Sequence, residues 1–277
     1  MTLKPALEDT GIVFHRTDLG EGAFVSPLAE FISSTARSTT ISKGEVSVST
    51  IEHIMSALTG LGVDNVLIEL DNEEVPILDG SALPYVDAIS KDGLREQDAE
   101  RRYVTIDKEI EIRDEKTGSW VKISPSGETS YDIEIDFGSK VLGVQAAHWD
   151  PSENYATQIG PCRTFVFLHE IAFLFQNNLV KGGDVDNAIV IVERPIPDEQ
   201  FRQLATIFNH PNLAVNENGY LNNLVLRFPN ECGRHKLLDL IGDLRLSGGF
   251  LKAKVTAFKP GHTINRLAAS AIRESLA

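Results

Sequence analysis

Glu231-Cys232-Gly233-Arg234-His235-Lys236-Leu237-Leu238-Asp239-Leu240-Ile241-Gly242-Asp243-Leu244-Arg245-Leu246 has the spacing of a strong amphipathic helix. Leu237, Leu238, Leu240, Ile241 and Leu244 form its apolar stripe, the face that a helix turns toward a core. His235, Asp239 and Asp243 stand four residues apart and climb another face. A His and an Asp one turn apart can aim an imidazole nitrogen and a carboxylate oxygen at one ion, and zinc accepts both donors. The same spacing suits a solvated polar face on which an Asp pairs with Lys236 or Arg234. Spacing alone leaves both readings open.

Working outward from this helix, Leu251 to Phe258 reads as a strand and Thr263 to Leu276 as a closing helix. Upstream, Tyr103 to Arg113, Trp120 to Ser124 and Tyr131 to Phe137 alternate like strands. Thr164 to Gln176 contains a helix, and Ala188 to Val192 is a continuous apolar strand. Earlier still, Gly11 to Arg16 and Ala23 to Val25 are short strands, and Ala36 to Ser49 supplies two more. Ser49-Thr50 offers an N-cap for a helix carrying Ile51, Ile54, Met55, Leu58 and Leu61, which ends near Gly60 or Gly62. Asn65 to Leu70 reads as a buried strand and Ser81 to Ile89 as a helix capped by Ser81. The polar run from Lys91 to Arg102 reads as a linker. The expected organisation is a first α+β domain over 1–95 and a second over 96–277, with an insert at about 165–193. Strands followed by helices, twice over, predict an α+β fold of packed layers.

Net charge is −14 over 277 residues. Such a surface argues against nucleic-acid binding and against a polybasic membrane anchor. A local cluster of Lys and Arg could still hold a phosphorylated substrate. Two cysteines, Cys162 and Cys232, are too few for a disulfide scaffold. No stretch approaches the ~18 apolar residues of a membrane span, and no signal peptide precedes the first strand. The expected location is therefore the cytoplasm, without membrane insertion. Nothing in the sequence points to a protein partner.

Four shorter stretches carry candidate chemistry. In Thr50-Ile51-Glu52-His53, Glu52 and His53 fall off the apolar stripe, in the first turn of their helix. Glu52 could simply favour the helix N-terminus, and His53 could be a half-buried structural histidine. In Lys259-Pro260-Gly261-His262, His262 opens the last helix, whose dipole disfavours its charged form, while a carboxylate such as Asp243 would keep it protonated. A plain surface turn is the other reading. In Arg163-Thr164-Phe165, Thr164 could cap a helix or offer its hydroxyl to an oxyanion. Lys181-Gly182-Gly183-Asp184 is a loop where backbone can approach a ligand, or an ordinary turn. His15, His148, His169 and His210 have no partner at ligand spacing. Cys232 forms Cys-x-x-His with His235, but a structural zinc site would want more cysteines.

In one order, Ser49-Thr50-Ile51-Glu52-His53, Leu61-Gly62-Val63-Asp64-Asn65, Pro76-Ile77-Leu78-Asp79-Gly80-Ser81, Arg163-Thr164-Phe165, Arg234 to Leu244 and Gly261-His262 resemble the UDP-3-O-acyl-N-acetylglucosamine deacetylase (LpxC) family of lipid A biosynthesis. The resemblance covers nearly the whole chain. It implies a metal held by His53, His235 and Asp239, zinc or ferrous iron. It implies Glu52 as general base, His262 as a protonated partner held by Asp243, Thr164 at the oxyanion and Lys236 in contact with substrate. Phe165 and the Gly182-Gly183 loop would border the acyl-chain and nucleotide regions of a UDP-linked acylated amino sugar. The implied fold is two similar α+β domains with helices sandwiched between outer sheets, and a β-α-β insert in the second domain shaping an apolar passage. The family usually opens with a strand and a Gly-Leu-His-Thr-Gly turn ahead of the segment matched by Thr2 to Ala6. This chain starts after it, which predicts an unpaired sheet edge. Nothing resembles the dehydratase domain fused to some members.

Two rivals accompany this expectation. One is a zinc amidohydrolase for another N-acyl sugar. The other is a catalytically inactive zinc-binding or regulatory homologue.

Overall fold

The structure is a computed structural model, and it describes residues 1–170, 187–207 and 209–276. Its first strands, β1 (Thr2–Pro5), β2 (Ile12–Arg16) and β3 (Phe24–Val25), join the later β7 (Val66–Leu70) in a sheet ordered β1-β7-β2-β3. β7 runs parallel to β2 and antiparallel to β1. Alternate residues of β2 and β7 are buried, so the sheet turns one face to the core. A small antiparallel sheet, β4 (Ile32–Ser34), β5 (Thr40–Lys43) and β6 (Val46–Val48), lies between them in sequence and leads into α1 (Glu52–Gly60). Helix α2 (Leu83–Asp92) follows β7.

The larger sheet comes from the second half. β8 (Tyr103–Thr105), β9 (Ile110–Asp114), β10 (Ser119–Pro125), β11 (Ser130–Asp136) and β12 (Val144–Trp149) assemble around β15 (Phe250–Phe258) in the order β12-β11-β15-β10-β9, with β8 pairing the start of β15. A short helix, α3 (Tyr155–Gln158), follows β12. β13 (Phe165–Phe167) and β14 (Ile189–Ile191) pair in parallel as a separate two-stranded sheet. Further described helices are α4 (Asp198–Ile207), α5 (Glu231–Leu244) and α6 (His262–Ser275).

Helix α5 packs on α1 and on α6, and also on β11 and β12; α6 covers β9 and β10. Phe14 and Ile68 from the first sheet, Ile54 and Leu58 from α1, Leu238 and Ile241 from α5, and Ile123 and Ile135 from the larger sheet belong to one apolar core. The molecule is therefore a mixed α+β fold with several sheets packed against helices. The long sequence separation between α1 and α5 means that the core is closed by non-local contacts. None of the described helices is long and apolar enough to cross a membrane.

Several local expectations are corrected. Thr50 does not cap α1: its backbone is left-handed (φ 60), its Oγ1 donates to Glu74 Oε1 at 3.1 Å, and Ile51 occupies the cap position without a side-chain bond. Thr164 does not open a helix, because β13 follows it directly; helical backbone begins only at residues 168–170. The remainder of that expected helix, and Lys181, Gly182, Gly183 and Asp184, lie outside the described residues. Ser81 precedes α2 by two positions, yet its Oγ accepts the Leu83 N–H at 3.1 Å. Tyr103 to Arg113 is two strands, because β8 pairs with β15 whereas β9 pairs with β10.

Candidate metal centre

The crossing of α1 and α5 places the chemistry. At Gly242 the two helices approach so closely that a Cβ there would lie 2.1 Å from the Glu52 carbonyl oxygen. The first turn of α1 is thereby pressed against the last turn of α5. Glu52, His53, His235, Asp239 and Asp243 are all buried, which is uncommon for so many ionisable side chains unless they are paired or bind an ion.

His53, His235 and Asp239 each offer a donor atom, and these atoms lie within 4.8 Å of one another. Asp239 Oδ1 lies 3.3 Å from His235 Nε2 and 3.7 Å from His53 Nε2. The imidazole rings meet edge-on, with centroids 5.0 Å apart at 87°. His235 Nδ1 lies 3.0 Å from the Cys162 carbonyl oxygen. A carbonyl only accepts, so the ring proton sits on Nδ1 and Nε2 turns a lone pair inward. Burial pushes the imidazolium form of His235 down, and burial together with neighbouring His235 pushes His53 down to about 3. Both rings are thus neutral near pH 7 and cannot serve Asp239 as ion-pair partners.

Asp239 is the counterpart. Burial works against its charge, but cationic neighbours, Lys236 and His262 among them at neutral pH, outweigh it and hold the carboxyl well below the usual range. Lys236 Nζ donates to Oδ2 at 2.8 Å, while the buried Oδ1 has no hydrogen-bond partner among the described residues. An anionic oxygen left bare, facing the lone pair of His235 Nε2, is what a cation site requires. Two imidazole nitrogens and one carboxylate oxygen form a donor set that suits a divalent transition metal, with a further coordination position left for water or substrate. The residues present fit a metal ion.

Glu52 stands beside this cluster. Its Oε2 accepts the Thr39 backbone N–H at 3.0 Å. Burial raises its pKa to about 7, with His262 opposing and Asp243 and Asp239 adding to the rise. His262 Nδ1 lies 3.0 Å from Asp243 Oδ2, to which Asn265 Nδ2 also donates at 2.9 Å. Burial disfavours the charged imidazole of His262, but Asp243 overrides it and lifts the pKa to about 9. A carboxyl able to take a proton and an imidazolium able to give one therefore both stand near Asp239.

The remaining expected residues are placed as follows. Lys236 contacts Asp239 and lies 5.7 Å from the centre of the Phe165 ring. Phe165 also packs edge-on against Phe137. Thr164 follows the Cys162 that binds His235 by two residues, and its amide donates to the Gly80 carbonyl at 2.8 Å.

Two participants were not anticipated from the sequence. Thr39 donates its amide to Glu52 and its hydroxyl to Asp243 Oδ1, at 2.6 Å, with Oγ1 also 3.3 Å from His262 Nδ1, so it ties Glu52 to the Asp243–His262 pair. Asn265 lies one turn after His262, and that i, i+3 spacing was the available signal. Thr39 gave none.

Comparison with known proteins finds a match over residues 1–211 and 204–274 to the family described as UDP-3-O-acyl N-acetylglycosamine deacetylase, LpxC. The chain is 44% identical over 276 residues to the bifunctional enzyme LpxC/FabZ of Porphyromonas gingivalis, covering 100% of this chain and 60% of the relative. It is 40% identical over 268 residues to the UDP-3-O-acyl-N-acetylglucosamine deacetylase of Helicobacter hepaticus, covering 96% and 80%. The corresponding enzyme of Nautilia profundicola is 38% identical over 268 residues, covering 96% and 82%. The chain thus spans about three fifths of the bifunctional relative and four fifths of the single-function ones.

Proposed function

Because this chain belongs to the UDP-3-O-acyl N-acetylglycosamine deacetylase family, we propose that it hydrolyses the N-acetyl group of UDP-3-O-acyl-N-acetylglucosamine to acetate and a free amine, the committed step of lipid A biosynthesis, in the cytoplasm. The observation that carries this reading is the convergence of His53, His235 and the bare Asp239 Oδ1, with Glu52 and His262 close enough to Asp239 to feel its charge.

His53, His235 and Asp239 hold the metal, which is zinc on the donor set, with ferrous iron the alternative that similar ligands accept. When bound, the ion supplies Lewis acidity, acidifying a water and drawing charge from a carbonyl oxygen. Glu52 takes the proton of the attacking water; a carboxyl lifted to about 7 is matched to that task near neutral pH. The oxygen adds to the acetyl carbonyl, and the Thr164 hydroxyl steadies the developing oxyanion. His262 donates a proton from Nε2 to the departing glucosamine nitrogen while Asp243 keeps Nδ1 occupied. The C–N bond breaks, and acetate and amine leave. Lys236 contacts the substrate, and Phe165 and the Gly182-Gly183 loop border its acyl and nucleotide portions.

The test is a deacetylation assay on UDP-3-O-acyl-N-acetylglucosamine with the purified protein before chelation, after chelation and after returning zinc. Loss of activity followed by recovery is expected. Turnover unaffected by complete metal removal, or no turnover with metal content restored, overturns the proposal.

A further inference from the structure

We propose that Glu231 is a positioning residue for the metal centre, acting on His235 through the single peptide plane between Cys162 and Arg163. Glu231 and His235 stand one turn apart on α5. The Cys162 carbonyl receives the His235 Nδ1–H at 3.0 Å. The N–H of the same peptide unit, that of Arg163, donates to Glu231 Oε1 at 3.1 Å. Carboxylate, peptide and imidazole are therefore connected in series, ending at the Nε2 lone pair that faces Asp239.

The physical consequence follows from peptide resonance. An anion accepting the N–H shifts electron density toward the carbonyl oxygen, so each hydrogen bond of the chain strengthens the other. The carbonyl becomes a better acceptor, the ring proton is held on Nδ1, and Nε2 becomes a stronger donor. Histidines that bind metals usually give their other ring N–H to a carboxylate or a carbonyl; here a carboxylate acts through a carbonyl.

The carboxylate is held for this purpose on several sides. Arg163 donates to it from Nε at 2.8 Å and from Nη2 at 3.2 Å, and the Arg227 amide donates to Oε2 at 2.6 Å. Arg163 Nη2 also reaches the Val225 carbonyl at 2.6 Å. Both Glu231 and Arg163 are buried, so little solvent screens the interaction. An ion pair serving stability alone would need only the guanidinium contacts. The bond to the Arg163 amide is what connects it to His235.

The inference rests on the metal reading above, and one experiment separates them. Glu231→Gln keeps an oxygen for the Arg163 amide but removes the charge. Zinc affinity of wild-type and variant protein is measured by chelator competition. The ring tautomer of His235 is read in the metal-free proteins by nitrogen-15 NMR, and the cobalt-substituted forms are compared by visible spectrum. Ile123→Ala, in the larger sheet, controls for lost stability. The expected result is zinc binding about 10- to 100-fold weaker in Glu231→Gln, an altered cobalt spectrum and a His235 no longer confined to the Nδ1–H form. Affinity within twofold of wild type, or a loss no larger than that of Ile123→Ala, overturns the inference. Should Glu231→Gln not fold, the wild-type protein decides: Nδ1–H on His235 together with a strongly downfield Arg163 amide proton supports the relay, and Nε2–H or an unshifted Arg163 amide proton overturns it. Wild-type protein that takes up no zinc would instead bring down the metal reading itself.

Discussion

Gly242 meets the Glu52 carbonyl where α5 crosses α1, with no room for a methyl group between them: an added Cβ would also lie 3.1 Å from the Ser56 amide nitrogen. Backbone atoms form that wall, so a side chain here cannot be absorbed by a rotamer change. Gly242→Ala must push the helices apart and carry His53 away from His235 and Asp239. The expected cost is about 1–3 kcal/mol of stability, together with weaker zinc binding. Thermal unfolding and metal titration of the variant check both; an unchanged zinc affinity would show that the crossing distance does not govern the site.

Glu52 should be separable from metal binding. Glu52→Gln keeps the size of the side chain and an acceptor for the Thr39 amide but cannot take a proton. The expected variant retains full zinc content and loses on the order of 10²-fold or more in kcat. Metal analysis beside steady-state kinetics reads this directly, and a near-normal kcat would assign the base elsewhere.

His262 links stability to pH with a definite sign. Asp243 holds its folded-state pKa at about 9 against the opposing effect of burial, above the ~6.5 of an unfolded chain. The stabilisation is complete below about pH 6.5 and is lost as pH rises through about 9. Asp243→Asn removes the cause. The stability gap between wild type and this variant should therefore be largest near pH 6 and shrink toward pH 9.5. Urea unfolding across that range, at one saturating zinc concentration, tests it; a gap that widens with pH contradicts the pairing. The alkaline limb of the rate profile should also move to lower pH in any active Asp243→Asn preparation.

Thr39→Val preserves shape and the amide that binds Glu52 but deletes the hydroxyl donated to Asp243 at 2.6 Å. A buried hydrogen bond to a charged group contributes about 1.5–3 kcal/mol. A fall in melting temperature and in kcat is expected, with zinc content unchanged. Retention of wild-type stability would mean that the Thr39 hydroxyl bond is not made in solution.

The helix period made α5 legible, and with it His235, Asp239 and Asp243 on one face. Glu52 and His53 were too ordinary as a dipeptide to stand out; only the ordered set of segments resembling the family singled them out. What sequence hid are contacts that run through backbone. The Cys162 carbonyl reaches His235 across 73 positions, and Thr39 uses its amide on Glu52; neither bond leaves a mark on residue type. β12 escaped for a different reason. Its alternation opens inverted, with Val144 exposed and Gln145 buried, before His148 outside and Trp149 inside restore the usual polarity. Gln145 is tolerated inside because its Oε1 accepts the Gly233 amide at 2.8 Å. Thr50 misled as a cap because Ser49 bridges to Glu74 beside it and Thr50 bends away to bond the same residue.

Thr39 Oγ1 lies 3.3 Å from His262 Nδ1, 223 positions away along the chain. Translation therefore delivers one part of the His–Asp cluster long before the other. A growing chain that has emerged only through α1 holds Glu52 and His53 with no partner helix to shelter them, and closing loops of this length is slow. On the proposed reading, metal capture is a late event in the life of each molecule, after α5 and α6 have left the ribosome, and a shortage of the metal would leave chains fully synthesised but unfinished at their centre.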